Sequence, residues 1–166
     1  MDITALSSAH AVQPLTPEDA DAVLALAAGN GLFYRYHPPL PDREGILSDM
    51  TALPPGKGPE DKYFLGFFQG DRLTAVMDLI LNYPEDGAAW MGWLILSPAC
   101  QGRGMGSGIL RDTEAALRAA GFRELRLVVD KGNPQSWAFW TKNGYARYGP
   151  EKPNGFSAYL LMRKAL

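Results

Sequence analysis

Apolar positions along this chain recur with two periods, and the switches between them mark out its elements. Thr16-Pro17-Glu18-Asp19 places a hydroxyl, a proline and two carboxylates at the start of a helix, where unpaired N–H groups and the positive dipole end favour all three. Val23, Leu24, Leu26 and Ala27 supply the apolar stripe of that helix, and Gly29 ends it. Residues 30–59 show no readable period, being rich in proline and glycine, with one short helix expected over 42–53. Two strand-like runs, 63–68 and 73–82, are split by Gln69-Gly70-Asp71 and read as a hairpin. Pro84-Glu85-Asp86-Gly87 is a second turn, after which 88–96 reads as a central strand.

Helical spacing returns in Ile109, Leu110, Thr113, Ala116, Leu117 and Ala120, and Gly121 stands where a left-handed cap is expected. A short buried strand follows over 125–129. Asn133-Pro134, a cap followed by proline, opens another helix carrying Trp137, Phe139, Trp140 and Asn143, and 156–162 is the last strand. The order predicts an α/β protein of the mixed-sheet (α+β) kind: a central, mostly antiparallel twisted sheet flanked by helices. At 166 residues, 46% of them hydrophobic, the chain is expected to form a single domain over 1–166.

Charge and cysteine content narrow the partners. A net charge of −2 without a basic run offers no footprint for nucleic acid. The lone Cys100 makes no internal disulfide, no basic-plus-apolar leader precedes Asp2, and no apolar run is long enough for a bilayer. A cytoplasmic protein without a membrane partner, monomeric or homodimeric, is expected. His10 and His37 are isolated and lack metal-ligand spacing, so no metal is expected.

Between Trp93-Leu94-Ile95-Leu96 and the helix that begins near Ile109 lies Gln101-Gly102-Arg103-Gly104-Met105-Gly106-Ser107-Gly108. Glycines at alternate positions let several backbone N–H groups converge at a helix start, where an anion is favoured and Arg103 adds a counter-charge at the rim. A glycine-rich turn without a ligand is the plainer alternative. The spacing is not G-x-G-x-x-G, and no Gly-Lys-Ser/Thr is present. It fits Q/R-x-x-G-x-G/A, with Gln101, Gly104 and Gly106 in the three positions and Pro98 upstream, and in this the chain resembles the GNAT superfamily of acyl-CoA-dependent N-acyltransferases. Asn133-Pro-Gln-Ser136-Trp-Ala-Phe139-Trp140-Thr-Lys142-Asn-Gly144-Tyr145 is similar to a second motif of that family, and the element order matches its fold over essentially the whole chain.

The resemblance implies acetyl-CoA as the acyl donor. Its pantetheine arm would lie along the strand carrying Leu94 and Leu96, and its pyrophosphate in the loop of Gln101, Gly102, Arg103, Gly104, Met105, Gly106 and Ser107. Asn133, Ser136, Trp140 and Lys142 would contribute from the following helix, although Asn133 serves equally as a plain cap and Lys142 as a solvated lysine. The family often carries a glutamate base where this chain has Trp90, and a tyrosine acid where it has Trp140. Indole does neither job near neutral pH. The missing acid matters less, since a thiol is a tolerable leaving group.

Asp78 is the best remaining base. It sits within Ala75-Val76-Met77-Asp78-Leu79-Ile80-Leu81, where a charge must be paired, hydrogen-bonded or open to a cleft. Either it takes a proton from the acceptor, or it is bonded to backbone or to an arginine such as Arg35 or Arg43. The backbone N–H of Leu96 is the candidate oxyanion donor. Tyr34, Tyr83 and Trp90, with Phe33, Tyr36, His37 and Trp93 as further aromatics, form either an acceptor pocket or core. Two function classes follow: an acetyl-CoA-dependent N-acetyltransferase acting by direct attack in a ternary complex on a small-molecule or peptide amine, or a non-catalytic acyl-CoA-binding sensor or regulatory module.

Overall fold

The computed structural model describes residues 1–166. Its elements are β1 (Ala11–Pro14), α1 (Ala20–Ala28), α2 (Gly31–Tyr36), α3 (Arg43–Thr51), β2 (Lys62–Gln69), β3 (Arg72–Leu81), β4 (Ala88–Leu96), α4 (Met105–Ala119), β5 (Glu124–Asp130), α5 (Pro134–Lys142), β6 (Ala146–Arg147), β7 (Lys152–Pro153) and β8 (Ala158–Ala165). The strands form one eight-stranded sheet in the order β1-β2-β3-β4-β5-β8-β6, with β7 also on β8. Every pairing is antiparallel except β4 with β5. The α/β sheet flanked by helices is thus present as the pattern predicts, and no helix is long and apolar enough to cross a membrane.

The sheet carries a core on each face. On one, Leu65, Phe67, Met77, Leu79, Leu125, Leu127 and Val129 pack with Ile109, Leu110 and Leu117 of α4. On the other, Phe64, Val76 and Ile95 pack with Ala20, Val23 and Leu26 of α1 and with Ile46 and Met50 of α3. This two-sided burial explains the nearly continuous apolar runs of β3 and β4, since alternate side chains enter different cores. Glu114 is the one carboxylate of α4 inside the first core, where it accepts from Tyr145 Oη (3.0 Å) and Lys164 Nζ (2.6 Å).

Several local expectations need correction. Thr16 stands at the N-cap as expected, in a capping box with Asp19, but it caps a 3₁₀ turn over Pro17–Asp19 that leads into α1; its N–H donates to the Asp19 carboxylate and its hydroxyl to Glu18 and Asp19. Residues 30–59 hold α2 as well as the expected helix. Only six residues long and without a side-chain cap, α2 has no sequence period to find. The last strand starts two residues late and runs on to Ala165, because it must span β5 on one side and β6 and β7 on the other.

Candidate active site

The parallel pair β4–β5 holds together only over Ala88–Met91 against Glu124–Leu127. At that point β4 bulges. Leu79 faces Met91 while Asp78 faces Trp93, so Gly92 is left without a partner on β3. Downstream, β4 stays with β3 and parts from β5, and the gap between them is a cavity of about 400 Å³.

The hydrogen-bond register shows what lines the gap. Ser97 N–H donates to Thr74 C=O (2.8 Å), so alternation makes Ile95–Val76 and Trp93–Asp78 the neighbouring bonded pairs. Leu94 and Leu96 therefore turn their main-chain groups away from β3, into the gap. On the far lip Lys131 N–H donates to Ala158 C=O (2.9 Å), and the same alternation along β5 turns the main chain of Val128 away from β8, toward β4. The opened sheet leaves the main-chain groups of Leu94 on one lip and of Val128 on the other without a strand partner, which suits an extended ligand that supplies the missing strand's hydrogen bonds.

One end of the cavity is the glycine loop. Gly102 and Gly104 adopt φ of 72° and 82°, left-handed values that glycine reaches without strain. The first bond of α4 is Gly108 N–H to Gly104 C=O (2.9 Å), and no backbone N–H from Gly102 to Ser107 donates to a backbone carbonyl. These free donors, at the positive end of a fifteen-residue helix, suit an anion. Gly106 has no room for a side chain: a β-carbon there would lie 3.1 Å from Phe139 and 3.4 Å from Leu96, so α4, α5 and β4 meet at this residue.

The side chain of Gln101 does structural work. Its Nε2 donates to Asn30 Oδ1 (2.7 Å) and to Leu96 C=O (3.0 Å), while its Oε1 accepts from Gln135 Nε2 (3.1 Å). Asn30 Nδ2 donates in turn to Leu26 C=O (2.9 Å) and Leu96 C=O (3.1 Å). The clamp joins α1, the end of β4 and α5, and consumes the Leu96 carbonyl while leaving its N–H uninvolved in the clamp.

Of the expected site residues, Leu94, Leu96, Gln101, Gly102, Gly104, Met105, Gly106, Ser107, Ser136, Trp140 and Lys142 line this cavity. Arg103 is exposed outside it. Asn133 is buried, its Oδ1 accepting from Ser136 N–H (3.1 Å) as the cap of α5, and its Nδ2 has no partner. Trp140 is a wall, edge-on to Phe139 and Tyr145. Tyr83 and Trp90 pack edge-to-face on each other, and Trp90 lies where β4 and β5 are still paired, away from the opening. Tyr34 packs against the α1–α3 core, and burial pushes its phenol well above the usual range.

Asp78 is not bonded to Arg35 or Arg43. Its partner is Lys62, Nζ to Oδ1 at 2.7 Å, and the two side chains are 15% and 6% exposed. Arg43 instead pairs with Asp21. Burial pushes the Asp78 carboxyl above its ordinary value, and the Lys62 ammonium opposes that shift. Asp78 lies behind Gly92 and does not itself line the cavity.

The cavity wall also includes a pair that sequence reasoning did not join. His37, which caps α2, places Nδ1 3.1 Å from Oδ2 of Asp130, the last residue of β5. Phe33 and Tyr159 flank the imidazole, and Asn154 Nδ2 donates to the same carboxylate (3.2 Å). His37 looked like a lone loop histidine. The one available signal was the aspartate ending an apolar strand just before Lys131-Gly132-Asn133.

The model of the acetyltransferase (GNAT) family matches residues 30–145. An acetyltransferase from Thermus thermophilus is 25% identical, covers 94% of this chain and 96% of its own, and superposes with a TM-score of 0.76. The PaiA N-acetyltransferase of Thermoplasma acidophilum, solved in complex with coenzyme A, is 20% identical over 94% of this chain and 98% of its own, with a TM-score of 0.69. A phosphinothricin acetyltransferase from Sinorhizobium meliloti, in complex with acetyl-CoA, is 14% identical over 95% and 89%, with a TM-score of 0.68.

Proposed function

Because the chain belongs to the acetyltransferase (GNAT) family, we propose that it transfers the acetyl group of acetyl-CoA directly to the nitrogen of an amine acceptor. The observation that carries this reading is the row of free backbone donors from Gly102 to Ser107, continuous with the unpaired main-chain edges of Leu94 and Val128. One end of that path suits a pyrophosphate and the rest a flexible amide-bearing arm. Ser136 and Lys142 line the same cavity and would add polar contacts to the donor. The donor supplies an activated thioester. The chain's part is to hold it in a strand-like position, to offer the Leu96 N–H to a developing oxyanion, and to exclude water with Trp140, Phe139 and Met105.

The ion pair that engages Asp78 favours weighing a second reading, an acyl-CoA-binding sensor without turnover. Both are tested by incubating the protein with acetyl-CoA and polyamines, amino acids, aminoglycosides and peptides, and following free thiol. Thiol release with any of them supports transfer. Tight coenzyme binding with no release above the hydrolysis background supports the sensor.

A further inference from the structure

We infer that the imidazole of His37, held by Asp130, takes the proton from the acceptor amine, an assignment that rests on the acetyl-transfer reading. A carboxylate only accepts hydrogen bonds, so the ring atom that faces Asp130, Nδ1, carries a proton. It lies within reach of both carboxylate oxygens, 3.2 Å from Oδ1 and 3.1 Å from Oδ2. The neutral ring then keeps its lone pair on Nε2, which has no partner in the protein. This is the tautomer a proton acceptor needs, fixed by a buried carboxylate.

The placement matches the tautomer. Leu127 and Val129 turn toward the α4 core, so by alternation Val128 and Asp130 face the side of the sheet packed by α1 and α3. His37 reaches that side from the end of α2. Asp130 is 7% exposed and His37 42% exposed, an anchored carboxylate beneath an accessible ring. Both line the cavity beside Phe33, Trp93 and Tyr159, next to the β4 edge that would carry the thioester. Asp78 lacks this access: one oxygen is taken by Lys62, and the side chain stays behind Gly92.

The charged and titratable groups around the ring are Asp130 on β5, Asp49 on α3 and Tyr159 on β8. The hydrogen bond that Nδ1–H donates to Asp130 raises the His37 pKa above the ordinary histidine value; burial opposes it, and the charges of Asp130 and Asp49 add to the rise. In the step itself the neutral amine nitrogen bonds to the thioester carbonyl carbon and its excess proton passes to Nε2. The C–S bond then breaks, and the imidazolium returns that proton to the leaving thiolate, giving an amide and free coenzyme thiol. Nothing is oxidised or reduced. His37 is catalytic in this scheme and Asp130 positions it.

The test measures thiol release and its pH dependence with the best acceptor among spermidine, amino acids, aminoglycosides and peptides, alongside acetyl-CoA affinity by calorimetry. His37→Gln is expected to lower kcat/KM by about 10²-fold or more and to erase the acid-side limb of the profile, with coenzyme affinity changing far less than the rate. Asp130→Asn should keep measurable turnover and move the limb to lower pH, because the charge favouring imidazolium is gone. In His37→Ala, added imidazole should restore part of the rate, which a merely structural role would not allow. Native rate and native pH profile in His37→Gln would overturn the assignment and leave acetyl transfer standing. A native protein that binds acetyl-CoA yet releases no thiol with any of these amines overturns acetyl transfer and this assignment together.

Discussion

Asp78 Oδ2 lies 2.6 Å from where a β-carbon on Gly92 would sit. The bulge of β4 and the buried ion pair of β3 therefore depend on each other: the unpaired residue must lack a side chain for the carboxylate to reach Lys62. Gly92→Ala is expected to push the carboxylate off its partner and destabilise the protein by about 1–3 kcal/mol, the usual cost of overpacking. In an Asp78→Ala background the same substitution should cost much less. Equal losses of melting temperature in both backgrounds would show that the two residues are not coupled.

The clamp of Asn30 and Gln101 makes a second prediction. Asn30 is buried and gives both donors and its acceptor oxygen to α1, β4 and Gln101. Asn30→Leu leaves the Leu26 carbonyl and the Gln101 amide short of partners, and should cost about 1–3 kcal/mol. Because the clamp fixes the end of β4, acetyl-CoA affinity should fall as well. Thermal unfolding and calorimetry on the same sample check this; a loss of stability with native affinity would mean that the clamp serves the fold alone.

At Gly104 the backbone alone is at stake. Its φ of 82° is left-handed, and no atom lies within 4 Å of an added β-carbon, so any cost of substitution is conformational and not steric. Gly104→Ala should lose about 1–2 kcal/mol and weaken coenzyme binding, as the free N–H groups rotate off their common centre. Gly104→Asn, a residue that tolerates this region, should retain more of both. Equal effects of Ala and Asn would argue against a conformational cause.

Legibility in the sequence followed how local each feature is. The glycine loop, the Asn133-Pro134 helix start and the β2–β3 hairpin depend on neighbouring residues and are readable from them. The gap between β4 and β5 is not, because the bulge at Gly92 appears only in the register against Leu79 and Asp78. Asp78 was recognisable as a charge needing a partner. That the partner is Lys62, opposite Ile80 on the adjacent strand, required the pairing of β2 with β3. His37 and Asp130 are 93 residues apart, joined by α2 packing over the end of β5, and α2 itself has too few residues to display a period.

The His37–Asp130 bond also predicts how stability varies with pH. The folded-state pKa of His37 is raised, so folding takes up a proton over the range between the unfolded value, about 6.5, and the higher folded value. The contribution is therefore fully present below about pH 6.5 and is lost as pH rises through the folded pKa. The melting-temperature advantage of native protein over His37→Gln should be largest on the acid side of neutrality and shrink as pH rises through the raised folded value, and it should weaken with salt because the ring is part-exposed. In an Asp130→Asn background most of this pH dependence should vanish. Deprotonation that removes the stabilising charge is also what makes Nε2 a competent base, so the fall in stability and the rise in kcat/KM should share a midpoint. Midpoints separated by more than about one pH unit would assign the kinetic limb to another group.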